Sequence, residues 1–156
     1  MLRPESFITH TLARHPRGES VTRILCAAIQ AVEPGQAVRR FVHREGKILF
    51  VNKQKYLLDK IGRIRILGLG KASHAMTLPL VDLLSDLSPR GLLIPKQTPV
   101  QPLSGFDIQP GGHPVPDEDS LRAGEKALEL VSGLGEDDLL ICLISGGGSA
   151  LMTAPH

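Results

Sequence analysis

Aromatic residues are nearly missing: four Phe, one Tyr and no Trp occur among 156 residues. A core must therefore be built from Leu, Ile, Val and Ala. Cysteine is scarce as well. Cys26 and Cys142 sit in apolar stretches without nearby metal-ligand partners, so they read as buried, reduced thiols of a cytoplasmic protein. No apolar run approaches the roughly 18 residues that a membrane span needs. The opening "MLRPESFITHTLARHP" carries Glu5 and no apolar h-region, which argues against a signal peptide. Charge of one sign is also lacking. The net charge of +2 is too small to point to nucleic acid or an anionic membrane. Arg3, Arg14, Arg17, Arg23, Arg39, Arg40 and Arg44 cluster mildly toward the front and read as a solvated helical surface. No internal repeat or low-complexity tract is present.

What remains is ordinary for a globular domain: 42% apolar and 22% charged residues, in a chain long enough for one core. Residues 20–32 read as a helix, with Ile24, Leu25, Ala28 and Val32 at helical spacing and Pro34-Gly35 ending the run. An earlier helix around Glu5–Ala13 would be broken by Pro16 and Gly18. Alternation on both sides of Glu45-Gly46 predicts a hairpin with strands Val38–His43 and Lys47–Val51. Ile64, Ile66 and Leu67 mark a buried strand. Ala72 to Leu84 then keep a helical rhythm that Pro79 should kink. "GLLIP" at 91–95 and "FDI" at 106–108 have strand character. A helix should run from Asp117 or Asp119 to about Leu134, with Leu121, Gly124, Leu128 and Val131 on one face. "DDLLICLIS", 137–145, is apolar throughout, as strands inside parallel sheets are. Alternating strands and helices from residue 63 onward predict an α/β, Rossmann-like layered fold with a mostly parallel sheet, preceded by helices and the hairpin.

Three glycine-rich loops are the chemical candidates. In "LGLGKAS", 67–73, Gly68 and Gly70 permit a sharp strand-to-helix turn, and Lys71 stands at the corner, where a cation could reach a phosphoryl group. It is not a Walker A loop, because position 65 is Arg and Ala72 follows the lysine. As a dinucleotide fingerprint it is incomplete. Ser73 holds the third Gly position, and "IPKQ" follows the next strand where an acidic residue belongs. In "GGHPVPDED", 111–119, a stiff loop presents His113 to a carboxylate or phosphate. In Ser145-Gly146-Gly147-Gly148-Ser149, glycines allow positive φ and close backbone approach to an anion, with two hydroxyls as further donors. This third loop is not a nucleophile elbow, since Gly147-Gly148-Ser149-Ala150-Leu151 lacks the final Gly.

Together "GLGKASHAM", "GGHPVPDED…AGEKALEL" and "DDLLICLISGGGSALMTAP" resemble the N-terminal part of the glycerate 2-kinases, the MOFRL-type glycerate kinase family. Some members of that family have been labelled hydroxypyruvate reductase. The resemblance runs from about Val21 to the end of the chain. It implies phosphoryl transfer from ATP to the 2-hydroxyl of D-glycerate, with a divalent metal such as Mg2+. It also implies an active-site role for Lys71 and a cleft lined by His113–Glu118 and Ser145–Leu151. Ser73 and His74 depart from the small residues usual there, and Pro79 interrupts a normally regular helix. The expected domain is residues 1–156 as an incomplete first domain of a two-domain enzyme, inactive on its own, with homo-oligomerisation possible. Two other readings stay open: an NAD(P)-dependent hydroxypyruvate reductase, and a non-catalytic module that binds small anions.

Overall fold

A computed structural model describes residues 2–155. The N-terminal part is helical: a 3-10 turn at Pro4–Phe7, then α1 (His10–Arg14), α2 (Gly18–Ala31) and α3 (Pro34–Phe41). Next comes a small antiparallel sheet of β1 (Val42–Glu45), β2 (Ile48–Val51) and β3 (Gln54–Leu57). The rest alternates: β4 (Ile64–Leu69), α4 (Ser73–Leu83), β5 (Arg90–Ile94), β6 (Phe106–Ile108), α5 (Glu118–Ser132), β7 (Leu139–Ile144) and the short α6 (Gly148–Leu151). The four later strands form one parallel sheet in the order β6-β5-β4-β7. The expected α/β layered fold with a parallel sheet is what the chain adopts.

Because β4 is central, its alternating side chains feed two cores. Ile64 and Ile66 pack with Leu80 and Leu84 of the α4 side, together with Val38, Leu49, Leu58 and Leu143. Leu69 joins Leu92, Ile94, Ala123, Ala127 and Leu151 on the α5 side. At the amino ends of β4 and β7, the Arg63 guanidinium meets the Asp138 carboxylate at 2.6 Å. That pairing holds the Asp138 carboxyl down at about 2.

Several expected details change. The strand placed at Val38–His43 begins only at Val42, because Pro34-Gly35, which follows the end of α2 as expected, also starts a further helix. Pro34 sits at the first helical position, and the Glu33 carboxylate accepts from the Gly35 and Gln36 amides. The turn falls on Gly46-Lys47, not Glu45-Gly46, and Gly46 has φ +57. Strand β3 went unforeseen; all four of its residues are exposed and show no alternation. The predicted helix at Glu5–Ala13 divides into the Pro4–Phe7 turn and α1, which the Thr9 hydroxyl caps. Helix α4 runs through Pro79 without interruption.

Two helix faces also differ from expectation. In α2 the buried residues are Gly18, Thr22 and Cys26, while Ile24 and Val32 are 67% and 74% exposed. This helix packs on α1 and the Pro4–Phe7 turn, not on the sheet. In α5 the buried face is Ser120, Ala123, Gly124 and Ala127, and Leu121, Leu128 and Val131 point outward. A small-residue stripe lets the helix lie close to its neighbours. At Gly124, a Cβ would stand 2.0 Å from the Thr153 carbonyl oxygen. Cys26 is buried as expected, but Cys142 is exposed, since it lies on the face of β7 opposite the buried Leu143. No helix among the described residues is long and apolar enough to cross a membrane.

Candidate functional site

The sheet order places a topological switch point between β4 and β7. From β4 the chain moves outward to β5 and β6, then returns to pair β7 on the opposite side of β4. Ligands of open α/β sheets bind at the carboxyl ends of the strands beside such a point. The loops after β4 and β7 flank it, and they are sewn together. The Ser145 amide donates to the Leu69 carbonyl at 2.8 Å, and the Lys71 amide donates to the Gly146 carbonyl at 3.2 Å. The Ser145 hydroxyl accepts from the Ala72 amide at 3.0 Å and donates to the Leu69 carbonyl at 3.3 Å. Gly70, at φ +106, makes this closeness possible; a Cβ there would lie 2.4 Å from Ser145 Oγ.

The third loop enters from β6. The Gly111 amide donates to the Pro95 carbonyl at 3.4 Å, which ties the segment to the end of β5. The Gly112 amide donates to Asp117 Oδ1 at 3.1 Å and to Ser120 Oγ at 2.9 Å. Asp117 and Ser120 form the capping box of α5, so the start of that helix fixes the loop carrying His113. The bond from the Ser120 amide, with further help from Ser120 Oγ and Gly112, holds the Asp117 carboxyl below the usual carboxylate range. The His113-Pro114 peptide is cis.

The loops converge at Gly147. A Cβ on that residue would stand 3.2 Å from His113 Nε2 and 3.3 Å from Lys71 Cε. Gly147 itself has φ +90, a conformation that favours glycine. The amides of Gly146, Gly147, Gly148 and Ser149 have no hydrogen-bond acceptor among the described residues. A run of free amides around a left-handed glycine is a backbone arrangement suited to an anion. Burial of the ring, reinforced by the charges of Lys71 and Lys96, pushes His113 below its ordinary value. The imidazole is therefore neutral near neutral pH, with one nitrogen donating and the other accepting.

Of the candidate residues, Lys71, His113 and Gly147 come together at one point, with Gly146 and Ser149 exposed in the same loop and Gly148 buried against Leu69. Gly70 and Ser145 lie beneath it as the joint between loops. Gly68 is buried and faces inward, where a Cβ would meet Leu93 Cδ2 at 2.7 Å and Ser73 Cβ at 3.1 Å. Its contribution is to let α4 close on the sheet. Ser73 is fully buried, and its hydroxyl has no partner among the described residues. The sequence marks Lys96 only as standing where a dinucleotide fold carries an acid. Its signal was a lysine two residues beyond an apolar strand. No group of three or more His, Cys, Asp or Glu side chains among the described residues could hold a metal ion. A cavity of about 750 Å³ lies elsewhere, lined by Leu2, Gln30, Ala31, Glu33, Gln36 and Arg40.

The family model described as "Domain of unknown function (DUF4147)" matches residues 20–156, most of the chain and all three loops. The chain belongs to this family. Its homologues include proteins named glycerate 2-kinase. The D-glycerate 2-kinase of Thermotoga maritima is 32% identical over 133 residues, 85% of this chain and 28% of that protein. The glycerate 2-kinase of Pyrococcus horikoshii is 32% identical over 134 residues, 86% of this chain and 30% of that protein. An Agrobacterium vitis protein provisionally named a hydroxypyruvate reductase is 42% identical over 94 residues, 60% of this chain and 22% of its own length. Among solved structures, a Pyrococcus horikoshii protein matches with a TM-score of 0.76 at 32% identity, over 85% of this chain and 30% of its own. A Thermotoga maritima glycerate kinase matches with a TM-score of 0.65 at 31% identity, over 83% and 28%. The chain thus spans less than a third of the length of these relatives.

Proposed function

We propose that this chain forms one wall of the substrate cleft of a D-glycerate 2-kinase, which transfers the γ-phosphoryl group of ATP to the 2-hydroxyl of D-glycerate. The observation that carries this reading is the meeting of Lys71 and His113 at Gly147, in a loop at the switch point whose amides have no acceptor among the described residues. The names of the relatives supply the substrate. Phosphoryl transfer asks a protein mainly for positioning and charge stabilisation. Lys71 neutralises charge on the transferred group or fixes the glycerate carboxylate. The amides of residues 146–149 hold an anion without burying a further charged side chain. In this reading His113, its pKa lowered, accepts the hydroxyl proton as the oxygen–phosphorus bond forms and the bond to the leaving ADP breaks.

The anionic parts of both substrates fit this lysine-and-amide surface. A divalent cation finds no protein ligand cluster among the described residues. Magnesium in kinase sites is commonly held by phosphates and one or two carboxylates, and no step here is routed through it. The reductase alternative is supported by the Agrobacterium relatives' names alone. Ser73 is buried against Gly68 where a dinucleotide fold wants its third glycine, and Lys96 follows β5. The cytoplasm, where ATP is made and used, is the compartment that suits this activity and the two free cysteines.

Release of ADP in the presence of D-glycerate tests the reading. The 156-residue chain, spanning less than a third of its relatives' length, should turn over little. A protein extended to the relatives' full length should turn over readily, and Lys71→Ala in it should cut kcat about 100-fold or more. An extended protein unaffected by Lys71→Ala, or one that instead oxidises NADH with hydroxypyruvate, overturns the proposal.

A further inference from the structure

Lys96 is the cation that the cleft described above leaves without a task. It stands two residues past the end of β5, on a segment fixed from both sides. The Ile94 carbonyl accepts from the Gly70 amide at 3.0 Å, and the Pro95 carbonyl accepts from the Gly111 amide at 3.4 Å. The residue before Lys96 is thereby bound to the His113 loop, and the one before that to the Lys71 loop. Lys71 thus approaches the His113 loop from the β4 segment and Lys96 from the β5 segment, and the charges of both lower the His113 pKa.

No carboxylate offsets these charges among the described residues. Lys71, Lys96 and His113 form no ion pair with any described residue, a state they share with Lys53, Lys55 and other surface cations. The acid nearest in the chain, Asp117, is turned to the Gly112 and Ser120 amides. Two exposed lysines on segments that backbone hydrogen bonds join to each other and to the His113 loop, with amides free of protein acceptors beside one of them, make a surface suited to more than one negative group. A monoanion seated at Lys71 and the Gly146–Ser149 amides would leave Lys96 unanswered.

We propose that Lys96 is a specificity-determining contact for ligands with two anionic groups, so that this edge favours a phosphorylated hydroxy acid over the unphosphorylated one. One group sits against Lys71 and the glycine-loop amides, and the second is met by Lys96. The proposal rests on reading the three loops as an anion-binding cleft, and it deepens that reading by adding a residue and a ligand class. The ring of His113 is the built-in reporter. Seating an anion between the lysines offsets their charge and raises the imidazole pKa, and removing Lys96 raises it in the free chain.

The test uses the 156-residue chain. NMR follows the His113 ring, assigned with His113→Asn, while D-glycerate, D-glycerate 2-phosphate or inorganic phosphate is added. Lys96→Met is expected to weaken D-glycerate 2-phosphate about tenfold, the worth of one charge-assisted contact. It should change D-glycerate by about twofold or less. Lys96→Arg should restore most of the loss. Because Lys96 is exposed and unpaired, these variants should keep the wild-type fold, which their amide spectra would verify. Equal weakening of both ligands by Lys96→Met, no weakening of either, or no ligand-dependent change at His113 in the wild type overturns the proposal. The readout is binding alone, so a failed kinase assay leaves this result standing, and its failure leaves the kinase assay to decide for itself.

Discussion

Gly147 is where the site is most sensitive to a single atom. Its φ of +90 strains any other residue, and a Cβ would press on His113 and Lys71 at 3.2 and 3.3 Å. Gly147→Ala should therefore cost about 1–2 kcal/mol of stability from backbone strain. Its larger effect should be on binding. Pushing Lys71 and His113 apart by even tenths of an ångström displaces two of the groups that would meet an anion. Phosphate affinity, followed by isothermal titration or by the His113 ring, should drop about tenfold or more. A variant that loses stability in urea but binds phosphate as the wild type does would show that the loop is a turn and nothing else. The residues of this site could be read from the sequence because glycine and lysine at strand ends carry a physical meaning of their own. What could not be read was which of them face the ligand. Gly68 and Gly70 look alike in "LGLGKAS", yet one packs against Ser73 inside the layer and the other makes room for Ser145. Only the approach of a distant segment distinguishes them.

At the scale of elements, the start of α5 is what holds His113 in place. Ser120 is fully buried, and its hydroxyl accepts from the Gly112 amide at 2.9 Å and the Asp117 amide at 3.2 Å. Ser120→Ala removes both bonds, together with the hydroxyl's own donation to Asp117 Oδ1 at 3.3 Å. The Gly112 amide keeps Asp117 Oδ1, so one amide is left without a partner. The expected loss is about 1–2 kcal/mol, read from the urea midpoint. Faster amide exchange should also appear at Gly112 and His113, because the cap and the loop are one hydrogen-bonded unit. Helix α5 illustrates how far periodicity reaches. Its extent was legible from the acidic start and the closing glycines. Its buried face was not, since Leu121, Leu128 and Val131 follow helical spacing as well as Ser120, Ala123, Gly124 and Ala127 do. Close packing, as where Gly124 meets the Thr153 carbonyl, selected the small stripe. The same logic explains α3. Pro34-Gly35 follows the end of one helix and begins the next, and the Glu33 cap that marks the beginning is a bond between side chain and backbone, not a pattern.

For the molecule as a whole, the parallel sheet was legible because buried strands are apolar along their full length, and such runs need helices between them. The outer surfaces were not, because burial there depends on what lies alongside. Strand β7 is an edge of the sheet, with Ile144 70% exposed and Cys142 exposed beside it. Helix α2 presents Val21, Ile24, Leu25, Ile29 and Val32 to solvent. An unpaired edge carrying apolar side chains is the stronger liability, since it offers backbone hydrogen bonds as well as apolar area. The 156-residue chain should accordingly self-associate as its concentration rises. Sedimentation velocity across a hundredfold concentration range would measure this. Ile144→Lys should shift the association about tenfold toward monomer, while Ile24→Lys on α2 should shift it little. The reverse pattern would place the contact on α2. A chain that sediments as a monomer throughout would mean that neither surface, exposed as it is, meets another copy.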